Sequence, residues 1–208
     1  MSNKIKILYI SHSPFINGAE ICLYNLVKNL NKDIFEPIVL FPEQGPLIEK
    51  INDLGIKTYI RPLERWIRFN FDKKVKNSNL LLRSQSILDI IDRESINIVH
   101  SNTSVIIEGA IAAKLKSVPH IWHIHEFLNG HIGLKSVIPL PLVYFAISYL
   151  STKIVSVSEY ARSQFEFSDD NKKFVVIYNG VEENGISVNT DVFANFRGKN
   201  SNEVDLIQ

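Results

Sequence analysis

The stretch IWHIHE, residues 121–126, decides the fold class that we predict for this chain. Its β-branched and aromatic side chains favour a strand, which Pro119 bounds on the amino side. Side chains alternate between the two faces of a strand, so we expect His123 and His125 to share one face. In an open α/β sheet, ligands bind just beyond the carboxyl ends of the strands. His125 is therefore predicted to stand at the edge of a cleft.

Two other interpretations of this histidine pair stay open. The pair can be ordinary core-edge histidines that are hydrogen-bonded to the backbone. It can also belong to a metal site, since an HxH pair beside a carboxylate suits zinc or a two-metal hydrolase. Such a site needs ligands from later strands, whereas the six histidines all lie at or before position 131: His12, His100, His120, His123, His125 and His131. We therefore expect no metal at His123, His125 and Glu126, and no cofactor.

Composition limits the class of protein. The chain has 208 residues, 45% of them hydrophobic and 22% charged, and a formal net charge of +1. This length allows one large domain or two small ones, and the near-neutral charge argues against a nucleic-acid partner. The single cysteine, Cys22, excludes an internal disulfide. The first residues lack a signal-peptide pattern, and no apolar run reaches the roughly 20 residues that cross a bilayer. We expect a cytoplasmic protein.

Strand-like and helix-like segments alternate along the chain. We predict seven strands, at residues 4–10, 36–41, 57–60, 96–99, 120–125, 153–157 and 173–178, with helices between most of them. Such alternation predicts an α/β fold with a Rossmann-like, doubly wound parallel sheet of about seven strands. The expected strand order is 3-2-1-4-5-6-7. Ser104 is predicted to cap one helix, and another helix is predicted to run from Ser158.

The first strand leads through a loop into a helix that Gly18 opens. The backbone N–H groups at such a helix start, together with the positive end of the helix dipole, suit an anionic phosphate. One glycine is a weak signal, because many strand–helix turns contain a glycine for geometric reasons alone.

Residues 61–76 interrupt the alternation. Aromatic residues separate its basic ones, which include Arg61, Arg65, Arg68, Lys73 and Lys74. This mixture suits an anionic membrane surface or a polyanionic ligand, and the alternative is a solvated loop. We expect the segment beside the cleft, as the most mobile internal part of the chain. The apolar segment 133–150 is interpreted as a core helix, with a membrane-facing surface as the alternative.

The ordered set LYIS, NGAE, IVHSN, WHIHE, IVSVSEYAR and VIYNGV resembles the N-terminal domain of GT-B fold retaining glycosyltransferases, most closely family 4. The resemblance runs from residue 4 to residue 181. It implies a Rossmann-like acceptor-side domain over residues 1–181. Residues 182–208 would be a polar linker towards a missing C-terminal domain, which in the family carries an E-x7-E motif that holds the nucleotide-sugar donor.

The resemblance also implies roles for particular residues. Asn17 and Gly18 would lie near the donor diphosphate, although the family often has two glycines there. His125 would lie beside the transferred sugar as the catalytic residue. The remaining residues expected in the acceptor cleft are His12, Asn102, Thr103, Glu126, Ser158, Asn179 and Gly180.

The expected function is that of the acceptor half of a retaining glycosyltransferase, inactive alone, which moves a sugar from a nucleotide-sugar donor to a saccharide or glycolipid acceptor. The alternatives are a non-catalytic sugar- or nucleotide-binding module of the same fold, or part of a GT-B sugar-nucleotide epimerase. Peripheral contact with the inner face of an anionic membrane is the partner suggested by the basic segment.

Overall fold

We describe a computed structural model of the chain for residues 4–69, 80–129, 134–136, 138–165 and 171–180. In chain order its strands are β1 (Ile5–Ile10), β2 (Phe35–Phe41), β3 (Lys57–Ile60), β4 (Ile67–Phe69), β5 (Ile98–Ser101), β6 (His120–Ile124), β7 (Leu134–Ser136), β8 (Lys153–Ser156) and β9 (Phe174–Val176). Its helices are α1 (Gly18–Asn29), α2 (Pro46–Asn52), α3 (Leu80–Glu94), α4 (Glu108–Leu115), α5 (Leu140–Leu150) and α6 (Glu159–Ser163). None of the helices in these ranges is long and apolar enough to cross a bilayer.

Seven of the strands form one parallel sheet in the order β3-β2-β1-β5-β6-β8-β9. Numbered among themselves, these strands have the order 3-2-1-4-5-6-7, so the predicted fold class and strand order are confirmed. The order reverses between β1 and β5, which is the point where open α/β sheets form their ligand crevice.

Two apolar layers hold the helices to the sheet. Alternation along β1 sends Leu8 and Ile10 into the larger layer, under α3, α4 and α5, and Ile7 and Tyr9 into the smaller one, under α1 and α2. Close approach of α4 requires Gly109, because a Cβ there would lie 2.4 Å from Ile10 Cδ1. The sheet is thus covered on both faces, and its carboxyl edge is left for the loops.

A second, two-stranded antiparallel sheet was not predicted. It pairs β4 with β7, placing Arg68 opposite Lys135, and so joins the basic segment 61–76 to the apolar segment 133–150. Strands of three residues are too short to show a period-two pattern, and their partner lies more than 60 residues away along the chain.

Several predicted boundaries were wrong, including those of the fourth and seventh strands, which were predicted at residues 96–99 and 173–178 and lie at Ile98–Ser101 and Phe174–Val176. Ser104 does not cap α4, which begins at Glu108, because the Ser104 hydroxyl donates instead to Glu126 Oε2 at 2.8 Å. His125 follows β6 rather than ending it, since β6 stops at Ile124. Lys73, Lys74, His131 and the proposed linker 182–208 lie outside the described residues.

Candidate functional site

Asn102, directly after β5, connects three elements at the carboxyl edge of the sheet. Its backbone N–H donates to the Ile10 carbonyl of β1 at 2.9 Å, and its side-chain Nδ2 donates to the Ala19 carbonyl in the first turn of α1 at 2.8 Å. Its Oδ1 lies 3.3 Å from His125 Nε2. One buried amide therefore fixes the histidine relative to the start of α1.

This arrangement sets the tautomer of His125. A backbone carbonyl only accepts hydrogen bonds, so the Asn102 NH2 group must face Ala19 and its oxygen must face the imidazole. His125 Nε2 then carries the proton and donates, which leaves Nδ1 as the accepting nitrogen. Burial lowers the pKa of His125, while the Glu126 charge raises it. The ring is neutral near pH 7 and presents one acceptor.

The carboxylate of Glu126 joins the loop after β5 to the loop after β6. It accepts from Thr103 Oγ1 at 2.5 Å, from the Ser104 N–H at 3.1 Å and hydroxyl at 2.8 Å, and from the His125 N–H at 3.3 Å. These donors occupy both carboxylate oxygens. Thr103 and Glu126, which sequence reasoning placed among the acceptor residues, bind each other and hold the backbone of His125.

Two tryptophans donate hydrogen bonds to the loop after β5. Trp122 Nε1 donates to the Thr103 carbonyl at 2.5 Å, and Trp66 Nε1 donates to the Ser104 carbonyl at 2.8 Å. Their rings stack with centroids 6.2 Å apart. The sequence does not predict this role, because no local pattern identifies the acceptor of an indole N–H group. The hydrogen bond of Trp66 holds its segment against the loop after β5.

Asn17 and Gly18 begin α1 at the same edge. Asn17 is the N-cap residue, but its side chain makes no capping hydrogen bond. The first N–H groups of a helix have no intrahelical acceptor, and the space where a Gly18 side chain would stand is open. An anion can therefore approach this backbone closely.

Glu20, in the first turn of α1, is the main feature that sequence reasoning overlooked. It is 1% exposed, and its Oε1 lies 3.2 Å from His12 Nδ1. Burial raises the pKa of Glu20 to about 7. The hydrogen bond from its own backbone N–H and the Arg65 charge lower this pKa, and the Glu126 charge raises it. The only signal in the sequence is an acidic residue just after a helix-opening glycine, in NGAE.

We expect Glu20→Gln to stabilise the fold at alkaline pH. The folded pKa of Glu20 is raised above its ordinary value, so the stability that it contributes is full below about pH 4.5 and is lost as the pH rises through about 7. The substitution should raise the free energy of unfolding by roughly 1–3 kcal/mol at about pH 8 and change it little at about pH 5. Urea unfolding at both pH values measures this; an equal effect at both would contradict it.

A cavity of about 320 Å³ lies beyond the carboxyl ends of β1, β2 and β3, and it is lined by His12, Glu43, Leu63 and Arg65 among others. Arg65 also forms an isolated antiparallel bridge with Ile106. The neighbouring arginines contact their own segment: Arg61 Nη1 donates to the Ile60 carbonyl, and Arg68 Nε donates to the Arg65 carbonyl, each at 2.7 Å. Of the three, Arg65 is the one that lines this cavity.

The remaining predicted residues lie further along the edge. Ser158 caps α6 by accepting from the Ala161 N–H at 3.0 Å. Asn179 and Gly180 line a separate cavity of about 320 Å³ between α1 and the segment after β9. His123 also lines that cavity, and its ring centroid is 4.3 Å from that of His125. The structure thus brings His125, Asn102 and the start of α1 together, and leaves Ser158, Asn179 and Gly180 outside that group.

Within the described ranges, no three His, Cys, Asp or Glu side chains are placed to hold a metal ion.

Residues 16–184 match the family model for Glycosyltransferase Family 4. The chain belongs to glycosyltransferase family 4.

Relatives of known activity or structure resemble parts of this family 4 chain. A curated Escherichia coli protein, UDP-Gal:alpha-D-GlcNAc-diphosphoundecaprenol alpha-1,3-galactosyltransferase, is 28% identical over 153 residues, which are 73% of this chain and 37% of that protein. The crystal structure of Anabaena HepE in complex with UDP-glucose superposes with a TM-score of 0.65 at 19% identity, over 86% of this chain and 45% of HepE. A UDP-N-acetylglucosamine 2-epimerase superposes with a TM-score of 0.57 at 12% identity, over 85% of this chain and 49% of that chain. The chain therefore spans about half the length of these proteins or less.

Proposed function

We propose that this chain is the acceptor-side half of a retaining glycosyltransferase that moves a sugar from a nucleotide-sugar donor to a saccharide or glycolipid acceptor. The observation that carries the proposal is the neutral His125, held by Asn102 one side chain away from the first turn of α1. The name of the galactosyltransferase relative, with its UDP-Gal donor and lipid-linked acceptor, supports the substrate class. Assembly of a surface polysaccharide or glycoconjugate is the corresponding role.

The chemistry that this arrangement serves is charge separation. When a glycosidic bond to a diphosphate breaks, negative charge grows on the diphosphate and positive charge grows on the sugar. The N–H groups at Asn17 and Gly18 suit the leaving diphosphate. A histidine whose pKa is lowered by burial adds no like charge beside the cationic sugar, and its Nδ1 can accept from a sugar hydroxyl.

The acceptor is proposed to enter the cavity lined by His12, Glu43 and Arg65. Glu43 can accept hydrogen bonds from sugar hydroxyls, and Arg65 offers a planar set of donors to a phosphate. A glycolipid acceptor with a diphosphate, as in the name of the E. coli relative, would use both groups. In this proposal Arg65 serves a polyanionic ligand.

The chain alone is expected not to transfer sugar. A helix N-terminus stabilises an anion by about 0.3–2 kcal/mol, whereas donor binding at micromolar to millimolar concentration needs about 4–8 kcal/mol. A second, donor-binding domain would supply the remaining binding free energy for the donor. The test compares the chain with a fusion of residues 1–181 to the C-terminal part of the E. coli galactosyltransferase, assayed with UDP-galactose and a lipid-linked N-acetylglucosamine diphosphate.

Product from the fusion but not from the chain alone is the expected result. Product from the chain alone would contradict the half-enzyme proposal. The fold likeness to a UDP-N-acetylglucosamine 2-epimerase makes epimerisation the second candidate. Epimerisation of a UDP-sugar without any acceptor would favour it. Donor binding by the fusion without either reaction would favour a non-catalytic module.

We also propose that the protein acts in the cytoplasm at the inner face of a membrane, where a glycolipid acceptor would be found. The basic segment first suggested this contact. The contact needs an apolar element beside the charges, because cations alone hold a protein only loosely to a bilayer and are screened by salt.

A further inference from the structure

Helix α5 is apolar on all sides, yet only one side of it is covered. Val143 and Ile147 are fully buried against the larger apolar layer. On the opposite side, Leu142 is 54%, Phe145 66% and Tyr149 58% exposed. No residue of the helix, LPLVYFAISYL, is charged. A surface helix normally turns a polar face to water, so we expect a binding partner to cover the exposed apolar side of α5.

The surroundings of this side are cationic. The sequence has no Asp or Glu between Glu126 and Glu159. At the start of α5, β7 places Lys135 opposite Arg68 of β4. At its end, Lys114 Nζ lies 4.7 Å from the Tyr149 ring centroid, and Lys173 Nζ donates to the Ser148 carbonyl at 3.1 Å. An apolar stripe with cations at both ends complements a surface that is apolar inside and anionic outside.

We propose that the α5 face, defined as Ile138, Leu142, Phe145 and Tyr149, lies in the surface of an anionic phospholipid bilayer. Leu142, Phe145 and Tyr149 recur at intervals of three and four residues, so they form one stripe on the helix, and the exposed Ile138 lies just before its start. The helix has 11 residues and is about 16 Å long, too short to cross a bilayer. It lies parallel to the bilayer plane, with its aromatic rings at headgroup depth and with Arg68 and Lys135 over the lipid phosphates.

A second copy of this chain fits the same face less well. Two-fold pairing brings the same patch of both molecules together, so the Lys135 and Lys114 ends of one copy would meet equal charges of the other. A bilayer presents only the opposite charge. The apolar stripe and the cations are therefore both satisfied by lipid.

The position of the face extends the proposed function. Helix α5 leads into β8, so it begins at the carboxyl edge of the sheet, where the candidate site lies. A bilayer on the α5 face would bring a lipid-borne acceptor to that edge. This step rests on the proposed transferase function. The bilayer contact itself does not, and it is measured without any sugar.

Flotation with vesicles tests the contact. The 208-residue chain should float with vesicles of equal parts phosphatidylglycerol and phosphatidylcholine, and much less with phosphatidylcholine alone. The double variant Leu142→Gln/Phe145→Gln should bind at least about tenfold more weakly, because two exposed apolar side chains no longer enter the bilayer. The matched control is Ile21→Gln, which changes a 46% exposed residue of α1 on the other side of the sheet and should bind like the wild type.

Two further measurements keep the test decisive if the double variant is unstable. Phe145→Trp should show a blue shift of its emission with the anionic vesicles, and Lys135→Glu should weaken binding more at low salt than at high salt. The proposal is overturned if the wild type does not float, if the double variant floats equally well, or if the emission of the Phe145→Trp variant does not move. A lipid-free dimer that the double variant abolishes would also overturn it, in favour of an interface between copies.

Discussion

Lowering the pH from about 7.5 to about 5 is expected to lower the free energy of unfolding by about 4 kcal/mol. The cause is a group of buried histidines under α1 and beside Trp122. Burial lowers the pKa of His100 and His120 to about 3 and that of His123 to about 2. All three stay neutral in the folded chain at about pH 5.

The sign follows from proton binding. In the unfolded chain these histidines take up protons near pH 6.5, so their contribution to stability is present above that pH and is lost as the pH falls below it. At about pH 5 each of the three histidines lowers the free energy of unfolding by about 2 kcal/mol, and together they lower it by about 6 kcal/mol. Glu20, whose pKa is raised to about 7, takes up a proton over the same range and so raises the free energy of unfolding by about 2 kcal/mol.

Thermal unfolding between about pH 8 and pH 5 measures the effect, and a decrease of about 10 °C in Tm is expected for a domain of this size. His123→Phe supplies the internal comparison, because it keeps an aromatic ring between those of His100 and His125 and removes one titrating group. Its Tm should fall by about 3–6 °C less than that of the wild type. A variant with the full wild-type pH dependence would show that His123 takes no part.

The order of the parallel sheet could be predicted because long segments carry strong apolar patterns and crossovers have one hand. Strand alternation alone predicted that His123 and His125 share one face, and their adjacent rings confirm this. The β4–β7 sheet could not be predicted, since three-residue strands have no period and the pairing is decided by the fold around them. Length alone does not explain the difference, because β9 also has three residues. It was predicted because it follows the regular alternation of strands and helices, which β4 and β7 interrupt.

The contacts within the site depend on partners distant in sequence. The family resemblance placed Glu126 among the residues of the acceptor cleft. Its carboxylate in fact accepts from Thr103 and Ser104, more than 20 residues earlier. The burial of Glu20 follows from how α1 sits against the edge, which no helical pattern states. Residue type and position led to a candidate site, whereas its hydrogen-bond partners needed the folded chain.

In a completed transferase, such as the fusion described above, His125→Ala is expected to lower kcat about 100-fold or more, the loss usual for a group that contacts the reacting centre. His123→Ala should lower it less than about tenfold, because His123 lies one pleat further from the edge and beside the other cavity. The comparison requires initial rates at saturating donor and equal Tm for the variants. Equal losses at both positions, or none at His125, would remove this role and favour the binding module.

Asn102→Asp tests the tautomer of His125 as well as its place. The new carboxylate would favour a protonated imidazole, so the pKa of His125 should rise and a charged ring should stand beside the cationic sugar. In the fusion, kcat of this variant should begin to fall at a higher pH than kcat of the wild type as the pH is lowered. Asn102→Ala should lower kcat without moving the pH profile, because it removes the contact and adds no charge. A profile that stays unchanged in Asn102→Asp would mean that Asn102 only holds the loop after β5 in position.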